Sequence, residues 1–168
     1  MNKLYTIGYE GADLADFLDT LRRAKMNVLL DVRELPISRR KGYSKTALKE
    51  ALAEVGIDYR HEKQLGSPKA VRNRLREDWN YRQFFKDYNK HLSQQMGLLE
   101  QLAHEVKGNV ALMCYEKDHT TCHRDSVVNE LANLLNIEPI HLGVEKSNGR
   151  RKARKTTYSH LGKSLSPA

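Results

Sequence analysis

Four short clusters in this sequence carry the side chains able to do chemistry: Gly8-Tyr9-Glu10-Gly11, Asp31-Val32-Arg33 with Pro36-Ile37-Ser38-Arg39-Arg40, Cys114-Tyr115-Glu116, and Cys122-His123-Arg124. The acids Asp31, Glu116 and Glu10 are of the kind that serve as a general base on water or as a nucleophile at a sugar carbon. His123 suits proton shuttling. Arg33, Arg39 and Arg124 offer planar forks that match phosphate or carboxylate oxygens. Tyr9, Ser38 and Cys122 complete the expected phosphate-binding set. A competing structural reading has Asp31 and Glu116 doing no more than orienting Arg33 and Arg124 as ion pairs.

The two cysteines open two further chemistries. Cys122, at an expected helix start beside His123 and Arg124, sits where a thiol pKa falls, which suits a phosphatase-like or sulfur-transfer thiol enzyme. The six-residue loop closing on a downstream Arg that such enzymes use is absent. Cys114, His119, Cys122 and His123 fall within ten residues of one another but match no common zinc spacing. A strand-end Cys114 is also expected to face away from its loop neighbours. The expectation is therefore no metal and no cofactor, with Cys114 a small core residue.

The elements that must position these groups follow from periodicity. Lys3–Gly8 reads as a strand and Ala12–Lys25 as an amphipathic helix with Leu14, Phe17, Leu18 and Leu21 on one side. Met26–Val32 is a continuous apolar run of the kind buried in a parallel sheet. Ser44 is placed to cap a helix that Gly56 stops, and Ile57–His61 is a short strand. A basic loop at Gln64–Arg72 leads into a long helical stretch reaching Val106, read as up to two pieces. Asn109–Tyr115 is a buried strand, Cys122–Leu135 a helix and Glu138–Leu142 a last strand. This alternation predicts an α/β fold: three layers, a mostly parallel twisted sheet of about four to five strands, and helices on both faces. In such a sheet the ligand site lies beyond the carboxyl ends of the strands, where the four clusters fall together.

Charge sorts the chain further. The sequence has 168 residues and a formal charge of +8. Seven basic residues and no acid lie in 146–168, which leaves residues 1–145 at +1. The expectation is one α/β domain over 1–145 and a basic, flexible tail over 146–168. Arg40, Lys41, Lys69, Arg72, Arg150, Arg151 and Lys152 are the expected contacts to a nucleic-acid backbone. Tyr81, Phe84, Phe85 and Tyr88 recur at helical spacing and read as a core stripe. Trp79 falls off it and is the candidate for stacking on a base. No run is apolar enough to span a membrane, and the start leads into a strand rather than a signal peptide. With only two cysteines, the chain suits a reducing, cytoplasmic setting.

The motifs TIGYEG, DVRELPISR, LGSP and MCYEKDHTTCHR, in this order, resemble the family called domain of unknown function 488. The resemblance covers roughly 3–143 and implies a compact α/β domain. It maps the family pattern onto Tyr9, Glu10, Asp31, Arg33, Pro36, Ser38, Arg39, Cys114, Glu116, Cys122, His123 and Arg124. Ser67 stands where many relatives have a second glycine. The family brings no established reaction. Taken with the clusters and the tail, the expectation is a hydrolase directed at nucleic acid, DNA before RNA, acting in DNA repair or processing on a glycosidic or phosphodiester bond. A non-catalytic DNA- or RNA-binding module is the first alternative, and the Cys122 thiol enzyme the second.

Overall fold

The computed structural model describes residues 1–147, so Arg150, Arg151 and Lys152 lie outside the described residues. The chain runs β1 (Lys3–Gly8), α1 (Leu14–Arg23), β2 (Val28–Asp31), α2 (Lys45–Glu54), β3 (Asp58–His61), α3 (Lys69–Asp78), α4 (Tyr81–Ser93), α5 (Met96–Glu105), β4 (Asn109–Cys114), α6 (Arg124–Leu135) and β5 (Pro139–Leu142). The five strands form one sheet in the order β3-β2-β4-β1-β5, and every pairing is parallel. This is the α/β fold that the alternating pattern predicts.

The sheet separates two cores, because successive strand residues point to opposite faces. Tyr5, Ile7, Leu29 and Met113 pack with Phe17 and Leu21 of α1 and Leu48 and Leu52 of α2. Leu4, Leu30 and Leu112 pack on the other side with Tyr88 and Leu92 of α4, Leu99 and Leu102 of α5 and Val127, Val128 and Leu131 of α6. Three layers result. Leu4, Leu30 and Leu112 are fully buried, so truncating any one to alanine costs about 2–5 kcal/mol.

The long helical stretch divides into three helices rather than two. Trp79 takes a left-handed conformation (φ 53°) and ends α3, and the Asn80 side chain then accepts a hydrogen bond from Gln83 N at 3.0 Å to start α4. Asp13 and the expected cap Ser44 occupy cap positions but make no side-chain capping bond. Ser44 Oγ instead accepts from Ser38 N at 3.0 Å and donates to Ser38 O at 3.3 Å, closing the 38–44 loop.

Candidate functional site

The switch in strand order falls between the neighbours β2 and β4, since β2 leads out to β3 on one side while β4 leads toward β5 on the other. Register brings the carboxyl ends to one rim: Gly8 lies opposite Cys114, and Asp31 opposite Met113 and His61. A cleft of about 750 Å³ opens at this rim. Tyr9, Arg33, Cys114, Glu116 and His123 line it from the strand ends, and Arg76, Trp79, Tyr81 and Phe84 from α3 and α4. A smaller cavity of about 260 Å³ lies beside it, between Glu10, Asp13, Asp16 and residues 142–144. Its lining holds none of the arginines or thiols.

Asp31 is fully buried, and both of its carboxylate oxygens are occupied. Oδ1 accepts from the Arg33 backbone N–H at 3.1 Å and from Arg33 Nε at 2.9 Å. Oδ2 accepts from Arg33 Nη2 at 2.7 Å and from the Tyr59 hydroxyl at 2.6 Å. Four donors fill the acceptor positions of both oxygens, so Asp31 is better suited to hold Arg33 than to take a proton from water. Arg33 is itself buried. Burial disfavours its charge, but the Asp31 hydrogen bond and charge, with Tyr9, outweigh that and raise its pKa. For the Tyr59 hydroxyl, burial and then the Asp31 bond raise the pKa. Arg33 Nη1 also donates to the Tyr9 hydroxyl at 3.2 Å. These bonds use three of the five guanidinium N–H donors.

Glu116 is arranged differently. Its Oε2 is buried and has no hydrogen-bond partner among the described residues. The loop that carries it is fixed from three sides. Gly8 lies so close that a Cβ there would stand 1.9 Å from Glu116 O, so β1 can pass only as glycine. Glu10 Oε1 accepts from Lys117 N at 3.0 Å. Arg124, 1% exposed, donates from Nη1 to Glu116 O and from Nη2 to Lys117 O. Arg124 and Glu10 thus brace the Glu116 loop. The helix start at 122–124, where Cys122 and Arg124 were expected to bind phosphate, is occupied by its own chain: Arg124 N donates to Cys122 Sγ at 3.5 Å and Asp125 N to Cys122 O at 3.1 Å.

His123 is buried against the Tyr88 ring, at 5.1 Å between centroids. Its Nε2–H donates to Val32 O at 2.6 Å, so Nδ1 is the acceptor. That Nδ1 lies 3.9 Å from both Cys114 Sγ and Cys122 Sγ. Burial, then the neighbouring Cys114, pushes the Cys122 thiol well above its ordinary value. Burial is also the largest influence on His123 and lowers its pKa, while a charged Cys122, the Val32 carbonyl and Glu116 raise it on balance. The Cys122 contribution is that of its charged form, which burial opposes. The depressed thiol pKa expected from sequence does not occur, because the helix start is inside the core.

The cleft mouth is apolar and aromatic. Leu35, Ile37, Trp79, Tyr81 and Tyr115 are all exposed, Trp79 at 61%, and all line the cleft. Tyr115 packs edge-on to Tyr9, which stacks on Tyr43 at 4.4 Å. Tyr81, expected in the core stripe, is at the mouth instead; Phe84 and Tyr88 keep the buried positions. Ser67 is buried with an unpartnered Oγ and lines the same cleft. The preceding Gly66 is required, since a Cβ there would stand 2.2 Å from Glu34 N.

The rim therefore gathers Tyr9, Glu10, Arg33, Glu116 and His123, with Arg72 and Trp79, in one cleft. Arg72 is engaged by Glu34 at 3.0 Å. Ser38, Arg39, Arg40 and Lys41 belong to the 36–44 loop outside the cleft lining. There Ser38 Oγ accepts from Arg40 N at 3.1 Å, and Arg40 donates to Ala12 O and pairs with Asp13. Arg39, Lys41 and Lys69 are exposed. Sequence reasoning passed over Tyr59, Ser67 as a polar group, Arg76, and the exposed pair Leu35 and Ile37. Only Ser67, inside the LGSP motif, and the unexplained apolar residues of a polar loop carried a signal.

No curated protein and no solved structure matches the chain. The family model described as domain of unknown function DUF488 matches residues 13–131. That span carries Asp31, Arg33, Ser67, Glu116 and His123 and begins after the Gly8–Gly11 turn. The chain belongs to the DUF488 domain family.

Proposed function

We propose that the rim cleft binds a nucleotide unit of nucleic acid and that Glu116 activates water there to hydrolyse a glycosidic or phosphodiester bond. One observation carries this reading. Of the three buried side-chain polar atoms without a partner among the described residues, two, Glu116 Oε2 and Ser67 Oγ, belong to residues that line this cleft. Unpartnered buried polar atoms are rare in native proteins, and each asks for a partner that the fold does not supply. The mouth above them suits a flat base, which stacks on aromatic rings regardless of sequence. Arg33, locked by Asp31, and Arg76 supply positive charge for the phosphate. Arg124 and Glu10 act as positioning residues for Glu116, and Asp31 as the positioning residue for Arg33.

A thiol mechanism gains no support from this geometry, since Cys122 is 1% exposed and burial pushes its thiol well above the ordinary pKa. Binding is testable through Trp79, the sole tryptophan and an exposed one. Titration with single-stranded and duplex DNA and with RNA over a salt series is expected to quench its emission. Trp79→Ala should weaken binding by about 1–3 kcal/mol. Affinity that is absent for every polymer, or indifferent to both salt and Trp79, contradicts the reading.

A further inference from the structure

We propose that Cys114, Cys122 and His123 form a binding site for a zinc-type divalent cation, open toward the cleft on the side of Glu116. The sequence spacing gave no such signal, because Cys114 ends a strand and the other two residues begin a helix. The fold removes that objection. The two Sγ atoms and His123 Nδ1 all lie within 4.8 Å of one another, with Nδ1 at 3.9 Å from each sulfur. With zinc–sulfur bonds near 2.3 Å and zinc–nitrogen bonds near 2.0–2.1 Å, a tetrahedral site has sulfur–nitrogen edges of about 3.5 Å. Each sulfur–nitrogen edge reaches that value by contracting about 0.4 Å, and the two sulfurs, within 4.8 Å of each other, must close to about 3.8 Å.

The surroundings of the three ligands are those of a metal site. His123 Nε2–H is held by the Val32 carbonyl, which fixes the tautomer that presents Nδ1. Cys122 Sγ accepts a backbone hydrogen bond from Arg124 N at 3.5 Å, which stabilises sulfur in its anionic form. Cys114 and His123 line the cleft beside Glu116, so a fourth coordination position faces the ligand space. A site with two thiolates, one imidazole and one open position is a catalytic rather than a structural arrangement. Glu116 lines the same cleft and its Oε2 has no partner among the described residues, so it supplies the carboxylate for a proton from a metal-bound water. Binding is a simple exchange: two thiol protons leave and two metal–sulfur bonds form, with no redox step. The inference rests on the cleft reading above for its purpose but not for its measurement.

A second cluster, His119, Asp125 and His141, is the natural control. Its two imidazoles stack at 3.5 Å with planes 2° apart, so their lone pairs lie in separate parallel planes, and His119 Nδ1 and His141 Nδ1 are each already hydrogen-bonded at 2.7 Å, to Asp125 and Thr6. The test is metal content of the full chain, purified without chelator and again after loading with Zn²⁺ or Co²⁺. Expected are about one equivalent of tightly held zinc per chain and, for Co²⁺, intense tetrahedral absorption with a thiolate-to-cobalt charge-transfer band. Cys122→Ser and His123→Ala should each lose most of the metal, while His119→Ala and His141→Ala keep it. Glu116→Gln should keep it too, whatever happens to turnover. A wild-type chain that binds neither metal, or binds Co²⁺ without the thiolate band, overturns the site directly, even where the variants fail to fold. A Cys114–Cys122 disulfide that persists when the chain is kept with a thiol reductant and Zn²⁺ overturns it as well. Turnover that depends on Glu116 in a chain holding no metal sinks this inference and leaves the hydrolase reading standing.

Discussion

Replacing Asp31 with asparagine separates a positioning carboxylate from a catalytic one. Asp31 accepts four hydrogen bonds, three of them from Arg33, and both side chains are buried, Arg33 at 6% exposure. Asparagine has one acceptor oxygen, and its amide donors would face the Arg33 guanidinium and the Tyr59 hydroxyl. The substitution also leaves a buried arginine without its counter-charge. Breaking a buried pair in this way costs about 3–5 kcal/mol. At this chain length each kcal/mol lowers the melting temperature by about 2–4 °C, so a fall of roughly 10 °C is expected. Tyr59→Phe, which removes one donor to the carboxylate, should cost about 1.5–3 kcal/mol. Glu116→Gln should change stability by only about 0.5 kcal/mol, because Oε2 has no partner to lose. Urea unfolding at fixed pH, read as the midpoint with an unchanged slope, measures all three. An Asp31→Asn chain as stable as the wild type but unable to turn over its substrate would refute this and return Asp31 to the role of base.

Gly8→Ala places a methyl group against Glu116 O and should cost about 1–3 kcal/mol in thermal unfolding while displacing the Glu116 loop; an unchanged melting temperature would argue that the loop is not fixed there. The buried thiols should resist alkylation in the native chain at mildly basic pH and react after denaturation, since burial holds Cys122 well above its ordinary pKa; rapid native labelling would contradict this. His141 has a lowered pKa, chiefly from burial and then from His119. The unfolded chain therefore binds this proton more readily, and stability falls as pH drops through the ordinary histidine range near 6.5. His141→Gln should flatten that part of the stability profile, and an unchanged profile would place the effect elsewhere.

The centre of the sheet was legible because β1, β2 and β4 are largely apolar runs, and the shared rim followed from the parallel arrangement alone. What each rim residue does was not legible. Asp31 meets Tyr59 only because β3 lies beside β2, a pairing that no local pattern encodes. Arg124 reads as a phosphate ligand by type, yet it is spent on the carbonyls of Glu116 and Lys117. Tyr81 keeps the helical spacing of Phe84 and Tyr88 but stands in the first turn of α4, beyond the core and over the cleft. The break at Trp79 was hidden because a left-handed tryptophan gives no glycine or proline signal. The Cys114–His123 proximity spans the end of one element and the start of another, where spacing rules for metal ligands do not reach.

The most direct measurement is product formation by the wild-type chain and by Glu116→Gln on a panel of single-stranded and duplex oligonucleotides, intact and base-damaged, with released bases and cleaved strands both resolved. Loss of turnover by at least about 100-fold in Glu116→Gln, with Trp79-monitored binding and melting temperature preserved, is the predicted result. A Glu116→Gln chain that processes the same oligonucleotide at the wild-type rate, or a wild-type chain that binds the panel and alters none of it, would contradict the account.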